Sequence, residues 1–136
     1  MQKIIILLVL LVAGNISLNA TYVGTTNDEV RKIAIPIGEK LFSYKNNNDY
    51  TNYIQLFSED TRKHITKKVF DQSVANFTKR FGKITSYEYL GHLNQDDMTA
   101  SLWKVKCKKT KKNFLMTILL SKQKNGENKA IDLFYK

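Results

Sequence analysis

Four side chains in the C-terminal half have the chemistry to move a proton beside a carbonyl: His92, Asp132, Tyr87 and Tyr89. A pocket that desolvates such a group shifts its pKa toward the working pH, which is what a general base or acid requires. No second acid or base stands at a spacing that would pair with any of them. His92 alternates in step with Ser86 and Glu88, the polar side of its segment, and Asp132 lies close to the basic C-terminus. His64 sits among Arg62, Lys63, Lys67 and Lys68, the setting of an exposed helix residue. Two scattered histidines and one cysteine do not make a zinc site. The chain carries no Gly-rich phosphate loop, no Gly-x-Ser-x-Gly elbow and no His-Glu-x-x-His, so the common hydrolase and nucleotide-dependent chemistries have no support. No catalytic residue, metal ligand or cofactor is assigned.

Two kinds of contact surface remain. Tyr53, Phe57, Phe77, Phe81 and Trp103 could line an apolar pocket, with Tyr53, Phe77 and Trp103 as the ligand-binding candidates, although an aromatic stripe on a helix is ordinarily core. Lys104, Lys106 and Lys108 alternate along one strand face, and Lys109, Lys111 and Lys112 follow them. This ridge could hold phosphates or acidic sugars electrostatically, or serve only to discourage edge pairing. No aromatic residue alternates with the lysines on their own face, so a specific nucleic-acid interface is not expected. Asn76-Phe77-Thr78 matches a glycosylation sequon but falls inside an expected helix.

The elements that must position these groups change period midway. Thr26-Asn27-Asp28-Glu29 has the form of a capping box, and Val30, Ile33, Ala34, Ile37, Leu41 and Tyr44 follow at helical spacing toward a stop at Asn46-Asn47-Asn48, with a kink expected at Pro36. Asp49 to Phe57 continues with Tyr50, Tyr53, Ile54 and Phe57, and Ser58-Glu59-Asp60 starts a fresh turn, giving a broken second helix. The third helix carries Val69, Phe70, Val74, Phe77 and Phe81 between Thr66 and Gly82. From Ile84 the period becomes two. Tyr87, Tyr89 and Leu93 oppose Ser86, Glu88 and His92; Trp103, Val105 and Cys107 oppose the lysines; Asn113 to Lys122 is apolar on both faces; and Asn125-Gly126 turns the chain into a last strand, Ala130 to Tyr135. Short connections make the neighbours antiparallel.

Residues 1–20 read as a secretory signal peptide: Lys3, an apolar block from Ile4 to Ala13, and a small residue at Ala20. The block falls short of the roughly 20 apolar residues needed to cross a bilayer. The remaining stretch, 21–136, suits one domain. The 22 basic residues less Lys3 leave 21 against 12 acidic ones, a net charge of +9. Cys107, the single cysteine, can form no intramolecular disulfide and reads as a small buried hydrophobe.

Three helices followed by a meander resemble the cystatin-like α+β group, in particular the nuclear transport factor 2-like cone. The segments that carry the resemblance are the stripe Phe70-Val74-Phe77-Phe81, the junction Arg80-Phe81-Gly82-Lys83-Ile84, and Leu102-Trp103-Lys104-Val105-Lys106. The resemblance implies an α+β domain whose N-terminal helices pack on a curved, four-stranded antiparallel sheet, with room for a pocket between the layers. The chain has no Gln-x-Val-x-Gly inhibitory loop of a true cystatin. By elimination, the reading is an exported, non-catalytic binding or assembly module that takes a small apolar ligand or a protein partner. A homodimer through the sheet and weak polyanion contact are further options, and the alternative is a cone-fold isomerase or hydrolase-like enzyme.

Overall fold

The computed structural model describes residues 21–136, and the expected signal peptide lies outside them. Helix α1 (Asn27–Asn46) begins at the expected capping box: Thr26 N donates to the Glu29 carboxylate at 3.0 Å and Glu29 N donates to the Thr26 hydroxyl at 3.2 Å. These bonds hold the Glu29 carboxyl down at about 2. Pro36 lies inside this continuous helix, on its exposed side. The broken helix follows as α2 (Tyr50–Gln55) and α3 (Glu59–Arg62), capped by Asp49 and Ser58, and α4 (Lys67–Phe81) runs from the Thr66 cap to Gly82 at φ 79°.

Four strands, β1 (Ile84–Gln95), β2 (Met98–Cys107), β3 (Phe114–Lys122) and β4 (Asn128–Tyr135), form a curved, unclosed antiparallel meander in the order β1-β2-β3-β4. The fold is α+β, with the helices on one face of the sheet. Trp103, Val105, Met116, Ile118 and Leu120 meet Val30, Ala34, Leu41, Phe42, Phe70 and Phe77 in one buried cluster. Asn46 ties the layers together: its amide donates to Ile84 O at 2.8 Å and its carbonyl accepts from Ile84 N at 2.9 Å.

Three register shifts interrupt the ladders, the first between Ile84 and Ser86, and the other two alter the faces assigned from the sequence. Between Tyr89 and Gly91 the β1 ladder slips by one residue, so His92 stands opposite Ser101 and Leu93 opposite Ala100. His92 therefore joins the helix-facing side with Tyr89 rather than the side of Glu88, and Leu93 turns outward at 54% exposure. In β4, Leu119 pairs with Asp132 and Leu120 with Ala130, leaving Ile131 as the extra residue. Ile131 packs on the far face with Met98 and Leu119, while Leu133 and Tyr135 return to the helix side.

The open edge of β4 is covered at this bulge by the link between α2 and α3. Ala130 N donates to Leu56 O at 2.8 Å, Ser58 N to Ala130 O at 2.9 Å, and the Thr61 hydroxyl to Ile131 O at 3.0 Å. Backbone groups that an edge strand would leave to water are thereby satisfied, and Phe57 is pulled out of the helical run into a bridge with Ala130.

Candidate functional site

A cavity of about 520 Å³ opens between α4 and the β4 edge of the sheet, a size suited to a small organic ligand. Helix α4 supplies both depth and rim, because its positions recur on one side. Phe70 and Phe77 point inward and are buried; Val69, Ser73, Asn76 and Arg80 stand around the mouth. Tyr53 and Phe57 close one wall, with ring centroids 5.0 Å apart, and Tyr53 lies 4.7 Å from Phe70. Tyr135 closes another wall, 5.6 Å from Phe77.

Besides Arg80 at the mouth, two charged side chains line this space, Asp132 and Lys45. The β4 bulge delivers Asp132, whose Oδ1 accepts from Leu133 N at 2.7 Å. Its Oδ2 is buried with no hydrogen-bond partner among the described residues. Burial pushes this carboxyl up to about 6, against the opposing effect of the Leu133 amide. Burial also lifts the Tyr53 phenol well above its usual range, and the charge of Asp132 adds to the effect.

The second group is Lys45, which is only 7% exposed. It follows Gly38, Leu41 and Phe42 on the buried side of α1, one turn beyond Leu41, so the helix period carries its long stem into the core. Its Nζ lies 4.2 Å from the ring centroid of Phe77. Desolvation brings the amine down to about 8, with the nearby Cys107 opposing. The sequence reading passed over Lys45 because a lysine breaks an apolar stripe. The available signal was its position, four residues after Leu41 and seven after Gly38.

Of the ligand-binding candidates, Tyr53 and Phe77 line the cavity and Trp103 does not. Trp103 is 1% exposed and packs under α1, 5.3 Å from the Phe42 ring and 5.4 Å from Tyr89, with its indole N–H donated to the Ser101 hydroxyl at 3.2 Å. Phe81 stacks beside Phe77 at 5.0 Å without reaching the lining. Tyr87 is 40% exposed against Phe42, and His92 is half-buried on β1; neither lines the cavity. Asp132, placed by sequence near a basic terminus, is the member of that group that the fold brings to the pocket.

Lys104, Lys106 and Lys108 are all exposed. Lys104 and Lys106 share the outer sheet face, where Lys104 pairs with Glu88 at 3.3 Å, whereas Lys108 falls in the turn beyond the end of β2. The same outer face carries Leu93 and Leu115, both exposed. No helix among the described residues is long and apolar enough to cross a membrane. Among the same residues, no three His, Cys, Asp or Glu side chains gather as a metal set.

No protein-family model matches the chain, and no curated protein or solved structure matches it at a significant level.

Proposed function

We propose that the protein is a binding module that holds a small amphipathic molecule, apolar in its body and bearing a hydrogen-bond donor, in the cavity between α4 and β4. The observation that carries this reading is the partnerless, buried Oδ2 of Asp132 in a cavity walled by Tyr53, Phe57, Phe70, Phe77 and Tyr135. A buried carboxylate oxygen without a donor is costly, and a ligand hydroxyl or ammonium placed there recovers the lost interaction. Tyr53, Phe70, Phe77 and Tyr135 supply apolar area for the ligand body. The resemblance to the nuclear transport factor 2-like cone agrees with a pocket between helices and sheet.

Binding of benzyl alcohol and toluene, followed by chemical-shift changes at the pocket aromatics, tests the reading. Benzyl alcohol should bind about tenfold tighter than toluene, and Asp132→Leu should remove the preference. Equal binding of the two compounds to the wild-type protein would reject Asp132 as the recognition group.

A proton-transfer enzyme is the second reading, favoured by the carboxyl of Asp132 raised to about 6 beside the Tyr53 phenol. It requires turnover of a carbonyl substrate that disappears in Asp132→Asn. Export is part of the same proposal: N-terminal sequencing of the product from its producing cell should begin at Thr21, and retention of Met1 would overturn it.

A further inference from the structure

Lys45 has no part in the binding reading above, and its setting is unusual for a lysine. Lysines are almost never buried unless paired, yet none of the ion pairs among the described residues uses it. Its buried side chain brings Nζ to 4.2 Å from the Phe77 ring centroid, and it lines the same cavity as Asp132. We propose that Lys45 is a covalent capture site for small aromatic aldehydes and ketones, its Nζ forming an imine with the carbonyl carbon of a molecule seated in the cavity. The proposal rests on the pocket reading, because the carbonyl compound must first enter there.

The chemistry balances without any further reactant. The neutral amine adds its lone pair to the carbonyl carbon, and a proton passes from nitrogen to the carbonyl oxygen to give a carbinolamine. The nitrogen lone pair then forms the C=N bond as the hydroxyl leaves with a proton as water, so amine and carbonyl become imine and water. The step needs an unprotonated amine, and burial favours that form by bringing Lys45 down to about 8. The groups facing the cavity from the packed elements are Arg80 of α4, Tyr53 of α2, and Asp132 and Tyr135 of β4. Cys107 of β2 acts from beside the amine, and its own thiol is pushed up to about 11 by burial, so it remains protonated near neutral pH.

The test treats the full chain with benzaldehyde and sodium cyanoborohydride, which reduces an imine to a stable benzylamine, and maps the modified lysines by peptide mass spectrometry. Lys45 should be modified at least tenfold faster than the exposed Lys104 and Lys106. Its rate should level off near pH 8, while theirs climb with pH. Lys45→Arg should abolish the fast label; if that variant melts early, Lys45→Met replaces it, and benzyl alcohol binding is measured on the wild-type protein. Labelling of exposed lysines with Lys45 unmodified, or modified no faster than they are, overturns the proposal. Benzyl alcohol separates the two failures: binding without Lys45 labelling rejects covalent capture alone, whereas neither binding nor labelling rejects the pocket reading as well.

Discussion

Trp103 packs directly on Gly38: a Cβ on that glycine would stand 2.7 Å from Cη2 of the indole. This contact sets how closely α1 approaches the sheet, because the largest fully buried side chain of the core fills the space that any other residue at 38 would claim. Gly38→Ala would gain about 1 kcal/mol in helix propensity but costs about 1 to 3 kcal/mol in overpacking, and net destabilisation is expected. Trp103→Ala should cost about 3 to 5 kcal/mol. Urea denaturation of both variants checks this, and a Gly38→Ala variant as stable as the wild type would show that the indole moves aside freely.

Asn46 joins the end of α1 to the start of β1 through two hydrogen bonds to Ile84, at 2.8 and 2.9 Å. Asn46→Ala leaves both backbone groups of Ile84 without these partners, and a loss of about 1 to 3 kcal/mol is expected. Amide exchange at Ile84 should accelerate in the variant. Unchanged protection there would mean that water replaces the side chain at no cost.

The carboxyl of Asp132 lies at about 6 in the folded protein against 3.8 for the free group. The folded state therefore holds this proton more tightly than the unfolded chain, and the contribution of Asp132 to stability falls as pH rises from about 4 to about 6. Above that window Asp132→Asn should be more stable than the wild type by about 1 to 3 kcal/mol, with the difference vanishing below about pH 4. Melting curves across this range measure it.

Lys45 shows the opposite linkage. Its folded amine lies at about 8 against 10.5 free, so the unfolded chain binds more protons between these values and the contribution of Lys45 rises with pH through that window. Lys45→Met should stabilise the protein at about pH 7 by about 1 to 3 kcal/mol and lose that advantage toward about pH 10. A variant no more stable than the wild type at neutral pH would mean that the contact with the Phe77 ring offsets the desolvation.

If the lysines of the outer face hold polyanions, replacing Lys104, Lys106 and Lys108 with glutamine should reduce retention on heparin at low salt while leaving the melting temperature unchanged. Retention of the wild type should fall steeply with salt, because exposed charges are screened over about 8 Å at physiological ionic strength. An unchanged elution position for the triple variant would remove the ridge as a contact surface.

Local chemistry made most of the architecture legible from the sequence. The Thr26 capping box, the stop at Gly82, the Asn125-Gly126 turn and the change of period at Ile84 each depend on a few adjacent residues, and together they delimit helices before an antiparallel meander. The aromatic character of the pocket was equally legible in Tyr53 and Phe77. Its polar chemistry was not. A β-bulge exists only relative to the partner strand, so the slips at Leu90 and Ile131 that turn His92 inward and bring Asp132 to the cavity cannot be counted along one strand. The burial of Lys45 likewise depends on α4 and β2, which lie more than twenty residues away and close around an amine that the helix period alone merely aims at the core. Periodicity is a property of neighbours in sequence, whereas desolvation belongs to neighbours in space, and only the tertiary structure decides which charges lose their water.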